Sequence, residues 1–221
     1  MLTLYHTPLS INSRRVWVTL LEKGLQFDLV EVDLGGDQFK PAFLALNPFH
    51  HIPVLVDEDF KVIESFAILD YLEAMYPSPP LMPCAPQAIA RVRMVQMVTL
   101  NELLPALTPL TRKMMGFGEP DAEAIAKAKQ QADGVLRFLA QILDNHVFFG
   151  VDHLSLGDIV LGTVVPWFAQ LEIPLENYPN LQAWCDRLVQ RPAWQTTQPT
   201  AEALAAFRER MRQLMDRRDQ S

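Results

Sequence analysis

The chain has 221 residues, of which 49% are apolar and 20% charged, so it is long enough for one large or two modest domains with buried cores. Its net charge of -7 argues against nucleic acid as a partner, because phosphate binding depends on a basic surface. No apolar run approaches the ~20 residues that a membrane span needs, and the first residues do not read as a secretory leader. We therefore expect a cytoplasmic protein with no membrane partner. Cys84 and Cys185 are isolated in sequence, which predicts two free thiols.

The beginning of the chain has the pattern of a βαβ unit. A short apolar run at residues 2–6 is broken by Thr7-Pro8, a helical pattern starts near Asn12, and a second β-rich run covers residues 27–32. Gly24 stands where that helix needs a left-handed terminating residue. Such units cross over right-handed and place their two parallel strands side by side.

The same region continues with a weak helix, a hairpin and a further helix. Residues 39–46 have weak helical character, and the runs 54–56 and 61–63 flank an acidic turn, which is a hairpin signal. Ser65 is a favourable N-cap for the helix that follows. The order β-α-β-α-β-β-α within residues 1–76 predicts an α/β thioredoxin-like domain.

Five prolines within residues 77–86 predict a linker. Beyond it, helical stretches at about 87–115, 121–145, 155–170, 180–190 and 200–217 predict an all-α domain over residues 87–221. Pro105 and Pro109 lie inside the first of these stretches, so we expect a kink or local irregularity there.

Ser10 is the first candidate for chemistry. It lies in the turn after the first strand, where ligands of α/β sheets commonly bind. Free backbone N–H groups and the positive end of the helix dipole stabilise an anion there, and a thiolate is such an anion. A serine cannot perform dithiol chemistry, but its hydroxyl can donate to a ligand's sulfur and favour the ionised form. The alternative is that Ser10, Asn12 and Ser13 only cap a helix.

The second candidate is the loop that carries Ile52-Pro53 into the third strand. The dipeptide is compatible with a cis peptide bond, and such a turn leaves the backbone of Ile52 able to pair with an extended peptide. The adjacent His50 and His51 raise the question of a metal. Neighbouring side chains rarely converge on one ion, and no further Cys or His pattern accompanies them, so we expect none.

The third candidate is the pair Glu64-Ser65 at the start of a helix. The hydroxyl and N–H of Ser65 can bind a carboxylate, and Glu64 offers a partner for an ammonium group, so together they suit an α-amino acid terminus. The alternative is that Glu64 is a solvated hairpin residue and Ser65 an N-cap.

In this order the three motifs resemble the glutathione transferase family over residues 2–191. The run "SRRVWVTLLEKGLQFDLVEVDL" is similar to the serine-type classes, such as theta and phi, and "ESFAILDYLEAMYP" is the usual continuation. The resemblance implies that Ser10 activates the thiol of glutathione, the co-substrate. It also implies that glutathione is held by Ser10, Asn12, Gln38, His51, Ile52, the cis proline Pro53, Glu64 and Ser65.

Some positions depart from the family's common pattern. His50 and His51 precede the cis proline where many relatives have Gly followed by Lys or Gln, and Gln38 and Phe39 replace frequent His or Lys positions. Both changes remove positive charge near the glycine carboxylate of glutathione, which predicts a modest affinity.

The resemblance implies a detoxifying transferase, in which the thiolate attacks a small apolar electrophile lodged between the domains. We expect its pocket to be lined by Leu9, Met114, Met115, Phe117 and Trp167, with ordinary core as the alternative. Ser155 and Asp158 resemble the family's buried capping motif, and we expect them to be structural. A homodimer follows from the resemblance. Glutathione-dependent peroxidase, dehalogenase or isomerase activity remains open, as does a binding protein without turnover.

Overall fold

The computed structural model describes residues 1–218, with side chains described through residue 209. Its contacts divide the chain into two units. Unit 1 consists of Met1–Pro83 with Gln190–Gln198, and unit 2 consists of Cys84–Val189 with the described residues from Pro199 onward. The first change from unit 1 to unit 2 falls within the proline-rich stretch, and a late segment of the helical half packs with unit 1.

Unit 1 has a four-stranded mixed sheet with the strand order β2-β1-β3-β4, in which only β1 and β2 are parallel. The order of elements along the chain is the predicted one. The elements are β1 (Leu2–His6), α1 (Ile11–Glu22), β2 (Phe27–Glu31), a 3₁₀ turn (Asp37–Phe39), α2 (Pro41–Leu44), β3 (Val54–Asp57), β4 (Phe60–Ile63), α3 (Ser65–Met75) and, from the late segment, α9 (Pro192–Thr196).

Side chains alternate between the two faces of this sheet, so each face needs its own cover. On one face α1 packs against β1 and α3, and Leu4, Leu20 and Leu69 are fully buried. On the other face Val32, Phe43 and Val54 form a second cluster that includes α2. The result is the thioredoxin-like layering that the sequence predicts.

Helix α1 ends as predicted. Gly24 has a φ of +64°, a conformation that glycine adopts without steric cost. Its N–H donates to Leu21 O at 3.0 Å, and the N–H of Leu25 donates to Leu20 O at 3.0 Å. This pair of bonds is a Schellman motif, which satisfies carbonyls that the helix end would leave unpaired.

Unit 2 is helical apart from an isolated bridge between Phe148 and Val151. None of the helices that the structure describes is long and apolar enough to cross a membrane. The elements are α4 (Pro86–Val98), a π turn (Thr99–Leu103), α5 (Leu104–Met115), α6 (Ala122–Leu143), α7 (Leu156–Gly162), a 3₁₀ turn (Val165–Trp167), α8 (Pro179–Val189) and α10 (Ala201–Arg218).

The expected irregularity of the first long helix is confirmed. Thr99–Leu103 forms a π turn, in which the N–H of Leu104 donates to Thr99 O. Pro105 follows directly and Pro109 lies inside α5. A proline removes an N–H and crowds the carbonyl four residues earlier, so a widened turn relieves the conflict.

The predicted helix over residues 155–170 was too long. Helix α7 ends at Gly162, and a 3₁₀ turn follows at Val165–Trp167. Pro166 lies within that turn and cannot supply the N–H that a continuing α-helix needs.

Candidate active site

All four segments that carry the predicted glutathione-binding residues leave the sheet at one edge. β1 ends at His6, opposite Glu31 at the end of the parallel strand β2. β3 begins at Val54, which lies opposite Tyr5 near the end of β1 and opposite Ile63 at the end of β4. Helices α1 and α3 begin just beyond this edge. Anions bind readily at helix N-termini, and ligands of α/β sheets commonly bind at the carboxyl ends of strands. We therefore take this edge as the candidate site.

Ser10 is the N-cap of α1. Its Oγ accepts a hydrogen bond from the backbone N–H of Ser13 at 3.2 Å, and its side chain is half-buried, whereas Asn12 is exposed. Within the described part of the chain no acceptor is recorded for the Ser10 hydroxyl proton. A hydroxyl has one donor and two acceptor sites. Capping the helix and donating to a ligand are therefore compatible roles.

The loop before β3 is held by Asn47, whose side chain is buried. Its Oδ1 accepts from the N–H of Phe49 at 3.0 Å, and its Nδ2 donates to the carbonyl of His51 at 2.9 Å. The Ile52-Pro53 peptide bond is cis. This role of Asn47 was not predicted, although an asparagine before a proline is a known turn signal.

Aromatic and imidazole rings occupy the side of the site that was predicted to face the glycine carboxylate of glutathione and to lack basic groups. The Phe39 and His50 ring centroids lie 5.2 Å apart, and those of His50 and His51 lie 5.7 Å apart. Gln38 is buried in its own loop, where its Nε2 donates to Leu34 O at 2.7 Å and its Oε1 accepts from Gly36 N–H at 3.1 Å. Both ends of the Gln38 amide are therefore already used within the protein.

The start of α3 differs from its predicted form. The helix begins at Ser65 itself, and the N-cap is Glu64, whose side chain makes no capping hydrogen bond. The expectation that Ser65 is an N-cap was therefore wrong. Glu64 is exposed and has φ 66° and ψ 115°, whereas non-glycine residues rarely adopt a positive φ, and such strained residues cluster at functional sites.

Arg15 lies beneath Ser65 and was not predicted to take part in the site. Its side chain is fully buried, its Nη1 donates to Ser65 Oγ at 3.5 Å, and its guanidinium lies 5.1 Å from the centre of the Phe66 ring. Burial lowers the pKa of Arg15 to about 10, so the group is still a cation at neutral pH. An arginine is ordinarily expected at the surface, so no sequence pattern pointed to a role for Arg15 in the site.

The five residues predicted to line the second-substrate pocket occur in both units. Leu9 is half-buried beside Ser10 in unit 1. In unit 2, Met114 and Met115 are half-buried at the end of α5, and Phe117 is half-buried just beyond it, with its ring 6.0 Å from that of Phe207. Trp167 is 8% exposed and belongs to the core of unit 2.

The predicted capping motif is present at the start of α7. Ser155 and Asp158 form a reciprocal capping box, and Asp158 also accepts from Phe149 N–H at 2.9 Å and Trp184 Nε1 at 2.8 Å. Burial raises the pKa of Asp158, and these hydrogen bonds act in the opposite direction. The pair is structural, as expected.

Fold and site together define a class of protein. A thioredoxin-like unit presents two helix N-termini, two serine hydroxyls and a cis-proline turn at one sheet edge, and its helix α1 begins with a serine where a redox protein has cysteine. A helical unit follows. This combination is typical of enzymes that activate the thiol of a bound peptide.

Comparison with known proteins identifies the family. The model of the glutathione S-transferase N-terminal domain matches residues 4–80, and that of the C-terminal domain matches residues 73–192. The chain is 33% identical to glutathione S-transferase F10 of Arabidopsis thaliana over 207 residues, which cover 87% of this chain and 94% of the relative. It is 35% identical to glutathione S-transferase 3 of Zea mays over 208 residues, which cover 89% and 92%.

A solved structure agrees with these matches. The theta class glutathione S-transferase from Xanthomonas axonopodis pv. citri, crystallised with glutathione bound, has a TM-score of 0.78 and 31% identity, over 90% of this chain and 98% of that one. The chain therefore belongs to the glutathione S-transferase family, and the resemblance seen in the sequence is confirmed. It is a transferase whose co-substrate is glutathione.

Proposed function

We propose that this chain conjugates glutathione to small apolar electrophiles and that Ser10 is its catalytic residue. One observation carries the proposal: Ser10 Oγ accepts from Ser13 N–H at 3.2 Å, which leaves the hydroxyl proton for a ligand. A sulfur that accepts this proton at the positive end of α1 is more stable as a thiolate than as a thiol. The hydroxyl and the helix therefore lower the pKa of the bound thiol.

We assign the rest of the glutathione site to residues at the same sheet edge. The backbone of Ile52 pairs in strand fashion with the cysteinyl unit, Glu64 pairs with the ammonium group, and Ser65 binds the γ-glutamyl carboxylate. Gln38 acts through the loop that its amide holds. The remaining contacts are assigned to Asn12, His51 and Pro53.

The reaction proposed is a nucleophilic attack. The thiolate forms a bond from sulfur to the electrophilic carbon, and the leaving group departs with its bonding electrons. Orientation of the two reactants supplies most of the remaining acceleration. Contacts to the electrophile are proposed for Leu9, Met114, Met115, Phe117 and Trp167, and flexible methionine side chains suit a site that accepts several substrates.

The cellular role proposed is detoxification by a cytoplasmic homodimer, which membership of the family supports. Light scattering coupled to size-exclusion chromatography tests the dimer: a mass near twice 25.1 kDa is expected. Parallel assays with an aryl halide, an isothiocyanate and a hydroperoxide separate conjugation from peroxidase activity, because the three reactions share the thiolate but differ in the second substrate.

The catalytic proposal is tested by replacing Ser10. We expect Ser10→Ala to lower kcat/KM by about 100-fold and to raise the pKa of the bound thiol by about 1 to 2. The measurement is the ultraviolet absorbance of the thiolate, titrated with pH in the presence of saturating glutathione.

Two further variants separate catalysis from capping. Ser10→Asp keeps an N-cap of equal quality but has no hydroxyl donor, so it is expected to fold and remain nearly inactive. Ser13→Ala makes the same chemical change in the same helical turn and is expected to leave the thiol pKa where it was. Unchanged turnover and an unchanged thiol pKa in Ser10→Ala would overturn the assignment.

A further inference from the structure

Arg15 is a buried cation whose hydrogen-bonding capacity is mostly unused. It has no exposed surface, and among the described residues its Nε and Nη2 have no hydrogen-bond partner. Its recorded contacts are the bond from Nη1 to Ser65 Oγ at 3.5 Å and the face of the Phe66 ring. A buried charge without a carboxylate partner is costly, so its retention requires a compensating role.

The neighbouring Arg14, in the same helix, has a structural role. It is 2% exposed, but its Nε donates to Thr197 Oγ1 at 3.2 Å and its Nη2 donates to Trp194 O at 3.2 Å and to Gln198 Oε1 at 2.9 Å. These bonds fasten the segment Gln190–Gln198 onto α1. Arg14 thus donates three hydrogen bonds to the folded chain, and among the described residues its Nη1 alone has no partner, whereas Arg15 donates one hydrogen bond and has both Nε and Nη2 without a partner.

The position of Arg15 indicates which ligand group compensates its buried charge. Its guanidinium lies against the first residue of α3, an 11-residue helix whose N-cap Glu64 makes no side-chain capping bond. The charge of Arg15 and the positive end of the helix dipole therefore act on the same point. When Arg15 donates to Ser65 Oγ, that oxygen serves as an acceptor, and the Ser65 proton is left to donate outward. The arrangement therefore favours an anion directly in front of Ser65.

We propose that Arg15 is a positioning residue for glutathione, which fixes the Ser65 hydroxyl as a donor and supplies the positive charge that the γ-glutamyl carboxylate neutralises. This inference rests on the proposed function. A single carboxylate is favoured over a larger anion because exposed Glu64 precedes Ser65 and would repel additional negative charge, whereas it suits the ammonium group of the same amino acid terminus.

The test compares glutathione with a tripeptide analogue in which γ-aminobutyrate replaces the γ-glutamyl unit. The analogue keeps the amine and lacks only the α-carboxylate. Titration calorimetry on the whole protein gives both dissociation constants. We expect the wild type to bind glutathione about 30- to 100-fold more tightly than the analogue. In Arg15→Met this ratio is expected to fall below about 5-fold, through weaker binding of glutathione with little change for the analogue.

Arg15→Lys keeps the charge and is expected to restore part of the ratio. Arg14→Lys is the matched control, since it changes the adjacent buried arginine and is expected to leave the ratio at the wild-type value. If Arg15→Met weakens both ligands by the same factor, Arg15 is merely structural and the proposal is wrong. A wild-type protein that binds neither ligand would instead overturn the proposed function.

A variant of Ser65 keeps the proposal testable if Arg15→Met does not fold. Ser65→Ala removes the hydroxyl but leaves the cation, so a residual preference for glutathione of about 5-fold or more is expected. Complete loss of the preference in Ser65→Ala would mean that the hydroxyl alone recognises the carboxylate, and would contradict a contribution from the charge of Arg15.

Discussion

Among the helices that the structure describes, α1 and α7 are capped by a serine, and the two serines are used differently. At the start of α7, Ser155 is 1% exposed, and its Oγ donates to Asp158 Oδ2 at 2.6 Å while accepting from Asp158 N–H at 3.4 Å. At the start of α1, Ser10 is half-buried and accepts from Ser13 N–H. The hydroxyl of Ser155 therefore both donates and accepts within the chain, whereas the hydroxyl of Ser10 accepts one bond and keeps its proton for a ligand.

The difference separates a structural helix start from a functional one. A fully satisfied and buried cap stabilises the fold and has nothing left to offer a ligand. A cap at the edge of the sheet that satisfies only its helix can bind an anion without any rearrangement. A contrast of degree distinguishes Arg14 from Arg15 within a single turn of α1, because Arg14 donates three hydrogen bonds to the folded chain and Arg15 donates one.

The largest effect on stability is expected from removing the Asp158 carboxylate, which accepts the hydrogen bonds at the start of α7. Asp158→Ala leaves the N–H groups of Phe149 and Ser155 and the indole N–H of Trp184 without their partner. We expect the free energy of unfolding to fall by about 4 kcal/mol, measured by urea denaturation. Asp152→Ala, at an exposed position six residues earlier, should change it by less than about 0.5 kcal/mol. Equal effects of the two changes would contradict a structural role for the capping box.

A smaller effect is expected from pH, through His6 at the end of β1. Burial lowers the pKa of His6 from 6.5 to about 4, and its Nδ1 has no partner among the described residues. Because this pKa is lower in the folded than in the unfolded chain, the unfolded chain binds more protons between pH 6.5 and 4. The free energy of unfolding therefore decreases as the pH falls through that range, by on the order of 3 kcal/mol.

His6→Phe isolates this contribution, because phenylalanine can keep the edge contact with Trp17, whose ring centroid lies 4.9 Å from that of His6, but cannot titrate. The variant should lose less stability than the wild type between pH 6.5 and 4 in parallel denaturation curves. The remaining slope belongs to other groups, so only the difference between the two proteins is diagnostic. Identical slopes would show that His6 does not stay neutral in the folded chain.

The sequence predicted what depends on periodicity and on turn residues. The strands of unit 1 and the left-handed Gly24 follow from local patterns, and the cis bond at Pro53 came from the family resemblance because base rates alone would not support it. The predicted helix over residues 155–170 was too long because its apolar pattern continues past Pro166, which cannot supply the N–H that an α-helix needs there.

What the sequence did not predict depends on contacts distant along the chain. Arg15 is placed under Ser65, 50 residues away, and Arg14 against Thr197, 183 residues away. Helix α1 is buried nearly all around, from Ser13 to Leu20, so its two arginines lie inside although charged residues usually mark a solvated face. The N-cap assigned to Ser65 was wrong for a related reason, since its hydroxyl is engaged by a tertiary partner instead of its own helix.

The smallest effect expected is a gain in stability at the open helix start of α3. Glu64 has φ 66°, which glycine adopts without strain, so Glu64→Gly should raise the free energy of unfolding by about 1 kcal/mol. It should also weaken glutathione binding by about 10-fold, because the carboxylate proposed to pair with the ammonium group is gone.

Glu58→Gly is the matched control for that change. Glu58 is an exposed glutamate with φ 54° in the turn between β3 and β4, so glycine relieves similar strain there but should leave the dissociation constant of glutathione unaltered. Stability is measured by denaturation and binding by calorimetry on the same samples. If Glu64→Gly gains stability and keeps its affinity, the strain at Glu64 has no function in binding. If both glycine variants lose stability, neither positive φ is strained, and hydrogen bonds alone distinguish the start of α3 from that of α7.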